Sequence, residues 1–156
     1  MTDQKTRMCT CECGSVSYAV PEKPLFRMFC HCTICQKFND AAFGDIFVYR
    51  ASDIERPEES LVDFDTYRPP PNVRRGKCAA CLKPAIELLN TPLLPSLILV
   101  PGNMHQGLNR LPAAKGHVFY QSRMADFDDS LPKHSGYLNS QLVFGKTLLM
   151  ALLGRA

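Results

Sequence analysis

Tryptophan is absent from this 156-residue chain, so nine Phe and five Tyr must supply the large side chains of any core. Long apolar runs are missing too. The longest, 147–153, is far short of the ~20 residues a membrane-spanning helix needs, which argues against a membrane span. Basic residues form no block: Arg74, Arg75 and Lys77 are the densest group, and nothing supports a nucleic-acid partner. The opening residues MTDQKTRM contain no apolar stretch of the kind a secretory leader requires. The expectation is therefore a cytoplasmic chain whose thiols stay reduced. There is no internal repeat, no Ser/His/Asp arrangement and no glycine-rich phosphate loop.

Proline, by contrast, is abundant. Twelve are present, and they recur every few residues from Pro57 to Pro112, where neither long helices nor long central strands can form. With 46% apolar residues the chain can bury one core, and its length fits one domain. The composition points to a mainly β, loop-rich fold. Residues 15–20 alternate, with Val16, Tyr18 and Val20 on one face. Segments 43–49, 61–67, 85–89, 97–100 and 117–120 carry further strand signals, separated by turns such as 56–59, 69–72 and 101–103. One helix is expected, at the C-terminus, with Leu138, Leu142, Leu149 and Leu153 close to one stripe. That stripe would pack on the domain or on a second copy of the chain, which leaves a homo-oligomer open.

Eight cysteines fall into three groups: Cys9, Cys11 and Cys13; Cys30, Cys32 and Cys35; Cys78 and Cys81. In a reduced chain such groups read as metal ligands before disulfides. A C-x-C or C-x-x-C turn aims two sulfurs at one ion, and structural zinc takes four ligands, usually as two pairs. Cys11 and Cys13 with Cys78 and Cys81 would make a closed four-thiolate site. Cys30, Cys32 and Cys35 would supply three thiolates from one loop, the arrangement of a catalytic zinc with an open position. Two zinc ions and seven thiolates would cancel the formal net charge of +3. The spacing also permits Cys11/Cys13 to close on Cys32/Cys35, leaving Cys78/Cys81 as a redox dithiol. It equally permits His31 or Cys9 to complete a purely structural second site.

Three runs together resemble a known family: Cys11-Glu-Cys-Gly-Ser-Val-Ser-Tyr18, Cys30-His-Cys-Thr-Ile-Cys-Gln-Lys37 and Arg75-Gly-Lys-Cys-Ala-Ala-Cys81. They are similar to the glutathione-dependent formaldehyde-activating enzymes, a family that includes centromere protein V. The likeness continues through His117-Val-Phe-Tyr120, Arg123 and Leu131-Pro132 and covers roughly residues 8–137. It implies a small β-tent-like zinc-binding domain over 8–137; the amphipathic helix expected over 138–156 lies outside the resemblance. It also implies a structural zinc on Cys11, Cys13, Cys78 and Cys81, and a catalytic zinc on Cys30, Cys32 and Cys35. The family's usual aromatic before the second C-x-x-C and glycine after it are replaced by Lys77 and Leu82.

Three thiolates on zinc leave a net charge of −1 and favour a soft fourth ligand, so a substrate thiol would be held there as thiolate. That chemistry suits making or breaking a bond between sulfur and a small electrophilic carbon. The expected activity is a zinc-dependent carbon–sulfur lyase or thiol-adduct reaction, with glutathione as the thiol by resemblance. The alternative is a non-catalytic zinc scaffold. A zinc deaminase would need His-x-Glu followed by Pro-Cys-x-x-Cys, and neither element is present. His31 is the candidate proton shuttle, with a plain turn residue as its other reading. Arg75 and Arg123 are candidates for holding a substrate carboxylate, Asp40 and Asp45 for lining the site, and His105 and His117 read as structural.

Overall fold

Alternation of side chains decides the main sheet. In β4 (Gly44–Arg50), Ile46 and Val48 face one way, Phe47 and Tyr49 the other. In its antiparallel neighbour β8 (Leu97–Pro101), Leu97 and Leu99 join the first set, Ile98 and Val100 the second. Both faces are therefore apolar, and both must be covered. The computed structural model describes residues 5–68, 73–107 and 109–154; the turn read at 69–72 lies outside them.

The remaining strands are β1 (Thr6–Thr10), β2 (Ser17–Pro21), β3 (Phe26–Cys30), β5 (Val62–Asp65), β6 (Val73–Cys78), β7 (Pro84–Leu89) and β9 (His117–Val118). Seven strands form one sheet in the order β5-β6-β7-β8-β4-β3-β9, antiparallel except for the β3–β9 edge pair. The hairpin β1–β2 is a separate two-stranded sheet. Its Cys9, Val16, Tyr18 and Val20 pack on one face of the large sheet with Phe47, Ile86, Ile98 and Val100. Tyr18 donates its hydroxyl to the carbonyl of Ala85, which pins the hairpin to β7. The fold is mainly β with a C-terminal helix, as the composition implied.

The helices are α1 (Thr33–Asn39) and α2 (Tyr137–Leu152). α2 covers the other face of the sheet, where Leu148 is buried with Phe26, Met28, Val48 and Leu99, and Phe144 meets Phe26 edge-on at 5.2 Å. The leucine stripe read from the sequence does not face the sheet: Leu138, Leu142, Leu149 and Leu153 are all exposed. Lys146 is the one charged residue of α2, so apolar positions lie all round it and periodicity alone did not select the packing face. Among the described residues no helix is long and apolar enough to cross a membrane.

Leu148→Ala is expected to cost about 2–5 kcal/mol, which lowers the melting temperature by on the order of 5–15 °C. Differential scanning calorimetry checks this; an unchanged transition would show that α2 is not part of the core.

Candidate metal centres

The first cluster joins two turns. At the β1–β2 turn the N–H of Gly14 donates to the carbonyl of Cys11 at 3.0 Å, and Gly14 adopts φ +80°, which a glycine reaches without strain. The N–H of Val16 donates to Cys11 Sγ at 3.2 Å. At the β6–β7 turn the N–H of Cys78 donates to the carbonyl of Lys83 and the N–H of Leu82 to that of Cys78. The sulfurs of Cys11 and Cys13 are 3.5 Å apart, those of Cys13 and Cys78 3.6 Å, and all four, with Cys81, lie within 4.8 Å of one another. Four sulfurs at ~2.3 Å from a tetrahedral ion would be spaced by about 3.8 Å, so the set fits one zinc-sized ion. All eight cysteines are free thiols. Hydrogen bonding from Ser15 brings the Cys13 thiol down to about 6, while burial pushes Cys78 up to about 11.

Leu82, which replaces the family's glycine, has φ +61° and is exposed. The turn has kept the left-handed geometry without the residue that adopts it freely. Leu82→Gly is therefore expected to stabilise the protein by about 1 kcal/mol, or roughly 2–4 °C in melting temperature. A melting temperature that falls would show that the Leu82 side chain contributes more than its backbone costs.

The second cluster comes from one loop. Cys30 ends β3, Cys32 caps α1 by accepting the N–H of Cys35 on its sulfur at 3.3 Å, and Cys35 lies in the first turn of α1. Their three sulfurs also lie within 4.8 Å of one another. Among the described residues no fourth nitrogen, sulfur or carboxylate joins them. Thiols of Cys30 and Cys35 donate to Cys32, which holds Cys32 down at about 3 and drives the other two upward. The three sulfurs are a donor set that a divalent ion could occupy by displacing their protons. A Cβ on Gly44 would lie 3.2 Å from Cys35 Cβ and 3.1 Å from the Asn39 amide, so a side chain there would crowd the cluster.

His31 points away from these sulfurs. It is fully buried among Phe43, Tyr120 and Phe127, and its Nε2 lies 2.8 Å from Nδ1 of His117. His117 Nε2 in turn lies 2.9 Å from the Asp129 carboxylate. The carboxylate can only accept, so His117 Nε2 carries the proton of that bond, while the direction of the bond between His117 Nδ1 and His31 Nε2 depends on the tautomers. His31 Nδ1 has no partner. Burial, with a smaller effect from His117, lowers His31 to about 4 and keeps it neutral at pH 7. Gln36 then ties the loop to its cover, donating to the carbonyls of His31 and Ser122. Reading the sequence had missed Gln36 and Asp129 as anchors of the loop; their partners are 86 and 12 residues away, and no local pattern marks them.

Other candidates are placed elsewhere. Cys9 is fully buried, joins neither cluster, and burial raises its thiol to about 12. The Asp45 carboxylate is engaged by Arg27 through two bonds of 2.8 and 2.7 Å, and Asp40 is the left-handed cap of α1. Arg123 pairs with Asp126 at the surface. Arg75 is nearly enclosed and in contact with Glu87, so it is not free to meet a substrate carboxylate. His105 is buried and stacked on Phe47 at 3.9 Å.

A mainly β domain with one four-cysteine and one three-cysteine cluster, each able to hold a metal ion, defines the class of protein. The model of the glutathione-dependent formaldehyde-activating enzyme family matches residues 6–122, most of the chain. The chain belongs to that family. Its fold is also similar to the crystal structure of a Rhodobacter sphaeroides protein, at 18% identity and a TM-score of 0.51, over 66% of this chain and 91% of that one. No curated protein sequence matches the chain.

Proposed function

We propose that this protein is a zinc-dependent carbon–sulfur lyase or thiol-adduct enzyme acting on a thiol such as glutathione and a small aldehyde-like carbon substrate. The observation that carries it is the three-cysteine cluster with no fourth ligand among the described residues. Cys11, Cys13, Cys78 and Cys81 hold the structural zinc in this reading, and Cys30, Cys32 and Cys35 the catalytic one. Those three sulfurs would hold a zinc ion whose open position would keep a substrate thiol as thiolate at neutral pH, although a free thiol of pKa ~8.5 is mostly protonated.

The chain's own residues do the rest. Cys32 presents its sulfur from the cap of α1, and Gly44 leaves room beside Cys35. His31 was the expected proton shuttle. Its neutral ring and its place in the His31–His117–Asp129 chain favour a different role in this proposal, that of a positioning residue which fixes the Cys30–Cys32 loop. The reaction balances without an oxidant: the sulfur–carbon bond forms, the carbonyl π bond breaks, and the thiol's proton ends on the carbonyl oxygen. The lyase direction is the reverse. Eight free thiols suit a reducing compartment, which favours the cytoplasm.

Native mass spectrometry on protein purified without chelator is expected to show two zinc ions per chain. Glutathione and 13C-formaldehyde should then form their adduct faster with the protein than without it, as followed by NMR. One zinc, or an iron–sulfur spectrum, would overturn the two-centre reading. Two zinc ions with no rate effect for any small thiol would leave a scaffold.

A further inference from the structure

We infer that the exposed leucine stripe of α2 pairs with the same stripe of a second copy of the chain, the two helices running antiparallel. The pairing is separate from the thiol chemistry and does not depend on it. The stripe is not the packing face of the helix. Ser140 and Leu148 are buried against the domain, whereas Leu138, Leu142, Leu149 and Leu153, on the side of α2 turned away from them, are 74, 72, 54 and 59% exposed. Single exposed leucines need no explanation, but four in one line make an apolar patch of the size that marks an interface. Asn139 and Lys146 border the line on one side and Gln141 on the other, all three exposed.

Gly145 is the second observation. It stands in the middle of α2, exposed and on the same line, where a glycine weakens a helix relative to alanine. Nothing inside the molecule calls for it, since a Cβ at Gly145 would meet no atom within 4 Å. The line thus runs Leu138, Leu142, Gly145, Leu149, Leu153, and its alternating steps of four and three residues are those of a coiled-coil seam. At its centre the missing side chain leaves room for the backbone of another helix.

Symmetry names the occupant. Leu138 and Leu153 are equally far from the midpoint between Gly145 and Lys146, and so are Leu142 and Leu149. An antiparallel copy therefore sets Leu138 against the partner's Leu153 and Leu142 against the partner's Leu149, with Gly145 at the crossing. A two-fold interface requires this self-complementarity, in which residue i meets j and j meets i. At the exposures given, eight leucines remove on the order of 1,000 Å² from water, the lower limit of a specific interface, so the dimer is a weak, micromolar one. Lys146, the one charged residue of α2, stands at the edge of the line, where its stem covers apolar surface and its ammonium stays in water. A lipid surface fits less well. A helix that lies on one takes a broad apolar face flanked by several Lys or Arg, whereas this line is a narrow seam beside a single lysine.

The test is sedimentation equilibrium of the full chain, expected to show monomer at about 1 µM and mostly dimer at about 200 µM. Leu142→Glu and Leu149→Lys each change an exposed position, so the melting transition at low concentration should stay that of the wild type while the dissociation constant rises at least about tenfold. Combined in one chain, the two changes should restore the dimer. Antiparallel pairing sets the new carboxylate of one copy against the new ammonium of the other, whereas parallel pairing sets like charges together. Gly145→Gln guards against a folding artefact: it favours the helix, and the side chain it adds at the crossing should weaken the dimer. A wild type still monomeric at about 200 µM overturns the pairing. If that monomer binds vesicles of phosphatidylcholine and phosphatidylserine, the stripe belongs to a lipid surface instead. A dimer that none of the single changes weakens overturns the role of the stripe, and one that the combined change does not restore overturns the antiparallel register.

Discussion

Cys78→Ser is expected to unfold the protein, whereas Cys32→Ser should leave it folded. Cys78 is fully buried, and its sulfur meets that of Cys13 from 65 residues earlier. In the proposed reading, loss of one ligand would release the ion that ties the small hairpin to the end of β6. Structural zinc sites contribute on the order of 10 kcal/mol in zinc-finger peptides, against a total stability of about 5–15 kcal/mol for a typical domain. The remaining margin is too small to keep the fold. Cys32 is different because its three-sulfur site lies within one loop, already held by β3, α1 and Gln36. Serine is also a good cap for α1, so the local structure survives.

Glutathione separates the roles further. At about one hundred times its dissociation constant it should stabilise the wild type by about 2.7 kcal/mol, raising the melting temperature by roughly 5–10 °C. Cys32→Ser should show no such rise. If instead Cys32→Ser is as unfolded as Cys78→Ser, and wild type ignores glutathione and other small thiols, the scaffold reading replaces the enzyme.

The second large effect is expected at Gly76. A Cβ there would lie 2.4 Å from Val62 Cγ1, 2.8 Å from the Phe64 ring and 3.1 Å from the carbonyl of Ile86. Both neighbouring strands would have to move, and Gly76 already sits at the irregular register step between β6 and β7. Overpacking of this kind costs about 1–3 kcal/mol even for one methyl group. Gly76→Ala should therefore lower the melting temperature by several degrees, at about 2–4 °C per kcal/mol. The strand that shifts carries Cys78 two residues after Gly76, so looser metal binding is expected at the four-cysteine centre. A variant that melts within a degree of wild type and fills the four-cysteine centre normally would refute this account of β6.

Much of the sheet was legible because burial imposes a period on a strand. The runs at 85–89 and 97–100 became β7 and β8, and the segment at 43–49 became β4. β6 was not read as a strand, because Arg74, Arg75 and Lys77 look like a solvated turn until Asp65 and Glu87 are placed on either side of Arg75. β3 alternates clearly, with Phe26, Met28 and Cys30 buried, but its last residue belongs to the cysteine loop and drew the whole segment into it. α1 is seven residues long, too short for a 3.6-residue period to show.

The amino-acid sequence by itself determined that the chain is β-rich, that its thiols come in groups spaced as metal ligands are, and that Cys30, Cys32 and Cys35 sit together in one segment. Each of these is a local property, set by neighbours a few residues apart. Tertiary structure decided which cysteine pairs meet. Cys11 and Cys13 join Cys78 and Cys81 because Val16, Tyr18 and Val20 dock the hairpin on β7, with the Tyr18 hydroxyl bonded to Ala85. It also turned His31 toward His117, set Arg75 against Glu87, and chose the buried face of α2. These outcomes depend on contacts between residues distant in the chain, where packing against a shared core, and no local spacing, selects one arrangement among several.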